Sequence, residues 1–397
     1  MTNYDQRVVA ALEAQSITRR RLLKRGSVTA LALTSIGPLL AACGSSSPKT
    51  SSASSGGEVG GNLDMLSWQG YNLTGTGKQW EKENGVTVKL TPIATQDDVQ
   101  AKLKGGATGT DLITYYQGYA RLYEELGILT ELDPEQIPNL SGLMPFFGED
   151  AKEFWKNPKG ARIGVPWTWG AEGITYNTQT VKPAPTSFFD LLEPEFKGRV
   201  TFTDEPLAGY ALACVMLKQD MGAMTPPQFE KATALITEMA GQTRGLAPSY
   251  GDVASRLASG DADVAWTGWT ALDQFAAEAG NPNIKTIIPK EGGYAFSDAW
   301  AIPSGADNGA TAYAWINQTL DPKWQASAAG ELAGGVTVEK AIPLLSAESK
   351  ALFPYDELPK FLEEQNFFMI PPTKSEKYVT FGQMLETWPE IRNNAGS

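Results

Sequence analysis

The sequence predicts an α/β protein, and two observations support that class. Strand-like segments alternate along the chain with helical segments of about 10–15 residues, a pattern typical of parallel or mixed sheets covered by helices. The chain has 397 residues, 42% of them hydrophobic and 20% charged, which is enough for two domains with apolar cores. It has no internal repeat, so a solenoid is not expected.

The elements of the first half follow from local patterns. The segment "LDMLSW" from Leu63 predicts a short strand, and "GKQWEKENG" predicts a helix that ends near Gly85. "VTVKLTPI" alternates as a strand does, and "TQDDVQAKLKGG" has the early acids and the terminal glycines of a capped helix. A strand "TDLITYY" and a helix "YARLYEELG" follow, and then "ARIGVPWTWGAEGITYN" predicts a strand pair or one long strand.

The second half repeats the alternation. "TSFFDLLEPEFKG" predicts a helix, and a strand is expected from Arg199 to Thr203. "AGYALACVMLKQDMG" and "TPPQFEKATALITEMAGQ" predict helices, the second with proline near its start. "YGDVASRLASGDADVAWTGW" predicts a helix that leads into a strand, and "NIKTIIPKEGG" and "YAFSDAWAIP" predict strands. A helix pair is expected in "ADNGATAYAWINQTLDPKWQASAAGELAGG".

The residue inventory excludes several classes of enzyme. The chain contains no histidine, so Ser-His-Asp and Cys-His mechanisms and His-ligated zinc sites are excluded. It also lacks a GxGxxG motif and a P-loop lysine motif, so a nucleotide-binding enzyme is not indicated. The tyrosines of "TYYQGYARLYEE" are spaced for a strand and a helix face, and they do not indicate an iron site. No catalytic residue, metal ligand or cofactor is therefore predicted.

The N-terminus has the order of an export signal. "TRRRLLK" from Thr18 is a basic segment, Gly26 to Leu40 is uncharged, and "LAAC" ends at Cys43. The twin arginine resembles the Tat signal, and "LAAC" resembles a bacterial lipobox in which the cysteine is lipidated. Residues 1–42 are thus predicted to be a removed Tat-type lipoprotein signal peptide, and the alternative is a short membrane anchor. The uncharged run is too short for a stable transmembrane helix.

The segment after the signal predicts a tether. Residues 43–62 are dominated by serine and glycine and would form a flexible, lipidated linker on the outer face of the cytoplasmic membrane. The signal contains six basic and two acidic residues, so its removal changes the formal net charge from −12 to −16. Such an acidic chain is not expected to bind nucleic acid. The only other cysteine, Cys214, lies in an apolar helical stretch and is predicted to be buried.

Several ordered segments resemble one family. They include "LSWQGY", "AKLKGGATGTDLI", "GVPWTWGAEGITYN", "FDLLEPEFKGRVTFTDE", "GDADVAWTGW" and "FSDAWAIPSGA". Together they are similar to the solute-binding proteins of ABC importers, in particular the spermidine/putrescine-binding proteins. The resemblance implies a type II periplasmic-binding-protein fold, in which a cleft between two α/β lobes holds the ligand. It implies lobe 1 at residues 63–171 with 298–341, and lobe 2 at 172–297 with C-terminal helices in 342–397. A monomer that delivers its ligand to a permease is expected.

The resemblance also assigns ligand-binding positions. The predicted ligand-binding residues are Trp68, Tyr71, Tyr116, Glu205, Trp269, Phe296 and Asp298. Candidate residues of the cleft or the hinge are Trp167, Trp169 and Glu172. At Ala208 the family has a carboxylate and this chain does not, so a ligand of lower charge, such as putrescine or a zwitterion, fits the sequence too.

The chemistry of these residues favours a cation. Aromatic faces attract ammonium groups and pack methylenes, and carboxylates pair with the ammonium charge in a dry cleft. Two alternatives are kept. One is the same class of protein with another solute, such as an amino-acid-like compound, a sugar or an organic acid. The other is a lipid-anchored glycosidase with paired carboxylates.

Overall fold

The computed structural model describes residues 57–93, 96–104 and 109–396. They all belong to one unit of the chain, Thr50–Ser397. The predicted signal peptide, Cys43 and the tether as far as residue 56 lie outside the described residues. No helix in the described part of the chain has the length and the apolar character needed to span a membrane.

Strands and helices alternate through most of the described chain, which confirms the predicted α/β class. The strands are Gly61–Ser67 (β1), Val86–Pro92 (β2), Leu112–Tyr116 (β3), Val165–Asn177 (β4), Val200–Thr201 (β5), Val264–Trp269 (β6), Ile284–Ile287 (β7), Tyr294–Ala301 (β8), Gly335–Val336 (β9) and Asn366–Phe367 (β10). The helices are Thr76–Asn84 (α1), Gln96–Lys104 (α2), Ala120–Glu125 (α3), Pro206–Leu217 (α4), Pro226–Gly241 (α5), Tyr250–Ser259 (α6), Ala271–Glu278 (α7), Gly309–Thr319 (α8), Pro322–Leu332 (α9), Ala347–Ala351 (α10), Leu358–Glu364 (α11) and Phe381–Asn394 (α12).

The sheet consists of two parallel parts joined by antiparallel strands. Its main path is β2-β1-β3-β8-β4-β6-β5, with β10 added to β8 and both β7 and β9 added to β4. Strands β2, β1 and β3 are parallel to one another, as are β6 and β5. Between these parts, β8 runs antiparallel to β3 and to β4, and β4 runs antiparallel to β6. The long strands β4 and β8 therefore connect the two halves of the molecule.

The sequence of β4 explains its central place. All 13 of its residues are buried, and its run of apolar and aromatic side chains contains one charged residue, Glu172. A strand covered on both faces needs such a run, whereas an edge strand alternates with polar residues. Of the two predicted alternatives for this segment, the structure has one long strand.

Two local predictions need correction. The predicted helix in "TSFFDLLEPEFKG" is wrong, because the segment forms two 3₁₀ turns, Phe188–Leu192 and Pro194–Phe196. Pro194 disfavours helical backbone at the preceding residue, and Glu193 is extended, so a continuous α-helix cannot form there. The strand predicted from Arg199 to Thr203 is confined to Val200–Thr201.

The folded body begins before Leu63. Strand β1 starts at Gly61, and the side-chain amide of Asn308 donates to the carbonyls of Gly60 and Asn62, at 2.8 Å each. The last residues of the predicted tether are therefore attached to the start of α8.

The C-terminal helices pack in two places. Helix α12 packs on α4 and α5, and the indole of Trp388 donates to Asp204 at 2.7 Å. Helix α10 instead packs on α9, and β10 pairs with β8. The C-terminal segment thus contacts several parts of the fold, and the lobe boundaries remain a prediction.

Candidate ligand-binding site

The first half of the site centres on Asp298 in β8. Its side chain is 4% exposed, and its carboxylate accepts hydrogen bonds from the Tyr71 hydroxyl and from Trp68. Burial raises the pKa of Asp298 to about 7, although both hydrogen bonds favour the ionised form. No ion pair among the described residues involves Asp298. A buried acid that receives donors but no cation is prepared to accept a positive charge.

The loop after β1 brings Trp68 and Tyr71 to this carboxylate. The loop is tightened by backbone hydrogen bonds from Tyr71 to Trp68 and from Leu73 to Gly70. The Tyr71 ring packs edge-on against Trp167, with 4.8 Å between ring centroids. Both Trp68 and Tyr71 are half-buried, so they can contact Asp298 and a ligand at the same time.

Phe296 and Trp269 form an aromatic wall next to Asp298. Phe296 is two residues before Asp298 in β8, so both side chains lie on the same face of the sheet. The Phe296 ring covers Gly170 of β4, where an added Cβ would lie 2.5 Å from the ring. Trp269, at the end of β6, packs edge-on against Phe296 with 5.5 Å between centroids, and both rings are half-buried.

Glu172 provides a second buried carboxylate. It lies in β4 opposite both Trp269 and Tyr294 and is 4% exposed. The Tyr250 hydroxyl donates to one of its oxygens, and the other oxygen is buried without a hydrogen-bond partner in the described chain. Burial raises the pKa of Glu172 to about 8; Tyr250 opposes this rise, and the charge of Glu205 adds to it.

Tyr116 lies among the three carboxylates. It is buried, and its hydroxyl donates to the carbonyl of Phe368 at 3.1 Å. Burial raises the pKa of Tyr116 well above its ordinary value, and the charges of Glu172, Glu205 and Asp298 all add to this rise. Glu205 is half-buried and directly precedes α4, where the helix dipole favours a negative charge. The structure therefore brings all seven predicted ligand-binding residues into one region.

The candidate hinge residues have different surroundings. Trp167 is 1% exposed and stacks on Trp300, with 4.9 Å between centroids. It also packs against the Tyr71 ring, so it holds that ring in place. Trp169 is fully buried on the opposite face of β4 from Glu172, and its indole donates to Val336 at 2.9 Å. Trp169 is therefore a core residue that does not line the cleft, and of the three candidates only Glu172 faces the predicted site.

The sequence did not reveal the role of Tyr250. This residue opens α6 after the capping residue Ser249, and it contacts Glu172 across 78 residues of chain. Its ring also packs edge-on against Trp269, with 6.3 Å between centroids. Nothing in its local pattern indicates that contact, because the two residues are far apart in the sequence and meet only through tertiary packing.

A separate surface depression of about 490 Å³ lies near α9 and α10. Its lining residues are Lys323, Ala326, Ser327, Gly330, Leu344, Ser346 and Ser349. It contains none of the predicted ligand-binding residues, and its lining lacks both carboxylates and aromatic rings. The predicted ligand-binding residues, with their buried carboxylates and aromatic rings, converge instead at the crossover strands β4 and β8.

The fold and the site together define a two-lobed solute-binding protein. The chain belongs to the family of bacterial extracellular solute-binding proteins, whose family model matches residues 76–354. It is similar to the putrescine-binding periplasmic protein PotF of Escherichia coli, with 29% identity over 302 residues that cover 72% of this chain and 80% of that protein. It is also 27% identical to spermidine/putrescine-binding periplasmic protein 1 of Haemophilus influenzae, over 81% of this chain and 88% of that protein.

A comparison with solved structures supports the fold. The substrate-binding protein PotD of a Streptococcus pneumoniae spermidine/putrescine ABC transporter superposes with a TM-score of 0.69 at 20% identity. The match covers 84% of this chain and 99% of that one. The predicted type II periplasmic-binding-protein fold with two lobes is thereby confirmed.

Proposed function

We propose that this chain is the solute-capture component of an ABC importer and that its ligand is a small cation of the polyamine class, such as putrescine or spermidine. It holds the ligand between its two lobes and delivers it to the permease without changing it. It acts as a monomer and uses no metal or cofactor. The names of the relatives support this class of ligand.

One observation supports the cation most directly. Asp298 is a buried carboxylate that receives hydrogen bonds from Tyr71 and Trp68 and has no ion-pair partner among the described residues. The half-buried rings of Phe296 and Trp269 lie beside it and can pack the methylenes of a polyamine. An ammonium group would supply the missing positive charge in a site where the charge pair is stronger than in water.

A thermal-shift screen of the folded body tests this proposal. The screen compares putrescine and spermidine with amino acids, sugars and organic acids. A ligand at about 100 times its Kd stabilises the folded state by about 2.7 kcal/mol, which is readily measured as a rise in Tm. The wider panel is needed because structures of similar fold include a GABA receptor and proteins in complex with agropinic acid or glucopine. A shift with a neutral sugar and none with either polyamine would refute the proposed cation.

Asp298→Asn provides the matching variant. Loss of one partner of a buried charge pair is expected to weaken polyamine binding by at least about 30-fold in calorimetry. Asp356→Asn is the control, because Asp356 is 92% exposed and its ion pair with Lys350 is long, at 3.8 Å. If Asp298→Asn lowers the Tm of the empty protein as well as the affinity for polyamines, Asp298 has a structural role instead.

We also propose that the chain is exported through the Tat route and anchored by a lipid on Cys43. The order of the twin arginines, the uncharged run and "LAAC" supports this proposal. Cys43→Ser should move the protein from the membrane fraction to the soluble fraction. Replacement of Arg19 and Arg20 by lysine should retain the unprocessed chain inside the cell. Export of that variant at the wild-type level would exclude the Tat route.

A further inference from the structure

We propose that Glu172, held by Tyr250, forms a second cation subsite at the other end of the same groove, so that the preferred ligand is a compact dication with one charge at Asp298 and one at Glu172. This inference rests on the proposed function and specifies the ligand further. It assigns a binding role to a carboxylate in the crossover strand β4, and it sets the length of the ligand.

The register of β4 and β8 places the two acids on one face. Asp298 lies opposite Thr168, Phe296 lies opposite Gly170, and Tyr294 lies opposite Glu172. Alternate residues of paired strands point to the same side of a sheet, so Asp298, Phe296 and Glu172 share one face. The pairing is regular from Thr168 to Glu172, so no bulge interrupts this alternation.

The middle of this face is apolar. Gly170 has no side chain, and the Phe296 ring occupies the space above it. Trp269 contacts Phe296 at one end and Tyr250 at the other, so aromatic rings continue from the Asp298 end to the Glu172 end. This face of the sheet therefore carries an acid, the aromatic wall and a second acid, in that order. This order matches a chain of methylenes with a cation at each end.

The surroundings of Glu172 require a further partner. Its side chain is 4% exposed and one oxygen accepts from Tyr250, while the other is buried and has no donor among the described residues. None of the ion pairs among the described residues involves it. A buried carboxylate oxygen without a donor carries a large desolvation cost, and a ligand ammonium would remove that cost. The same arrangement with an arginine or a lysine from the protein would have indicated a structural ion pair.

The spacing sets the length of the ligand. Four residues along the strands separate Asp298 from Glu172, which corresponds to about 13–14 Å between the points where the side chains leave the sheet. A charge-assisted hydrogen bond takes about 2.8 Å at each end, so the two cationic centres would lie about 8 Å apart. A linear diamine with about four to six methylenes has that span, whereas the two ends of extended spermidine lie farther apart.

The test compares diamines with a monoamine by calorimetry. Wild-type protein is titrated with 1,4-diaminobutane, 1,6-diaminohexane and n-butylamine, and the same series is run with Glu172→Gln. We expect the ratio of diamine to monoamine affinity to fall by at least about 30-fold in the variant, because the second charge loses its partner. Glu278→Gln is the matched control, since Glu278 lies on the exposed side of α7 and should leave that ratio unchanged.

The possible outcomes separate this inference from the proposed function. If Glu172→Gln binds diamines as tightly as the wild type does, the second subsite is refuted, while cation capture at Asp298 stands. If the wild type binds neither diamine nor spermidine, the proposed function itself fails. A diamine length series with the wild type provides a test that needs no variant. An optimum near four to six methylenes supports the inference, and an affinity that does not depend on length overturns it.

Discussion

At the scale of single residues, the proposed site contains two buried carboxylates that each receive a hydrogen bond from a tyrosine. Tyr71 donates to Asp298 and Tyr250 donates to Glu172. These donors favour the ionised form of each acid, while burial favours the neutral form. Burial has the larger effect in both cases, so the pKa of each acid lies above its ordinary value.

Tyr71→Phe tests the role of the donor. Removal of the hydroxyl should raise the pKa of Asp298 further, because that hydrogen bond stabilises the carboxylate. A hydrogen bond to a charged group contributes about 1.5–3 kcal/mol, so putrescine affinity at pH 7 should fall about tenfold or more. The loss should be smaller at pH 9, where a larger fraction of Asp298 is ionised in both proteins. Tyr378→Phe, at a surface tyrosine beside Lys377, serves as the control. A loss of affinity that is the same at both pH values would contradict this role.

Glu172→Gln should stabilise the empty protein at alkaline pH. The pKa of Glu172 is raised from 4.5 to about 8, so between these values the folded state retains a proton that the unfolded chain releases. The stability contributed by this group therefore decreases as pH rises from about 4.5 to about 8. Glutamine cannot ionise, so the variant should melt at a higher temperature than the wild type at pH 8. The difference should be small at pH 5. A lower Tm for the variant at pH 8 would show that the ionised carboxylate stabilises the empty fold.

The sequence predicted some of these residues and missed others for a physical reason. Trp68, Phe296 and Asp298 lie at or next to predicted strands, within the short segments that carry the family resemblance. Trp169 and Glu172 lie in the same predicted strand segment, so the sequence did not separate them. In the structure they face opposite sides of β4, and Trp169 belongs to the core. The contact between Glu172 and Tyr250 depends on how α6 packs, which no local pattern encodes.

At the scale of secondary structure, the β4–β8 pair positions the two acids on one face of the sheet. Most strands and helices were predicted because hydrophobic periodicity and capping residues act locally. Helix α1, for example, ends with Gly85 in the left-handed conformation (φ 63°), as its glycine indicates. The helix predicted around Pro194 is wrong because the proline disfavours helical backbone at the residue before it, although the pattern on either side is apolar. The register of β4 against β8 is a long-range property, and the spacing of the two acids follows from it.

Gly170→Ala tests the aromatic wall formed by Phe296 and Trp269 between the two acids. The added Cβ would lie 2.5 Å from the Phe296 ring, so the half-buried ring must move away. We expect putrescine affinity to fall about tenfold, because overpacking of about 1–3 kcal/mol is relieved by displacing a ligand-contacting ring. The same substitution in a Phe296→Ala background should have little further effect. Gly241→Ala is the control, since an added Cβ there meets nothing within 4 Å. Unchanged affinity in Gly170→Ala would show that Phe296 does not contact the ligand.

At the scale of the whole molecule, one sheet positions both halves of the proposed ligand site. The parallel strands β2, β1 and β3 lie on one side of the β8–β4 pair, and β6 and β5 lie on the other. Trp68 and Tyr71 follow β1, whereas Trp269 ends β6 and Glu205 follows β5. A ligand at the proposed site would therefore contact residues from both sides of the crossover. Such a ligand would favour conformations in which the two sides lie close together.

Hydrogen exchange can measure this coupling directly. Saturating putrescine should slow amide exchange both in residues 68–73 and in residues 269–273, because a ligand that bridges the groove restrains both segments. Helix α12 lies behind α4 and α5 and should exchange at the same rate with and without ligand. Asp298→Asn should abolish the protection in both segments at the same ligand concentration. Protection confined to residues 68–73 would mean that the ligand contacts one side only, and the bridging role of Glu172 and Trp269 would then be excluded.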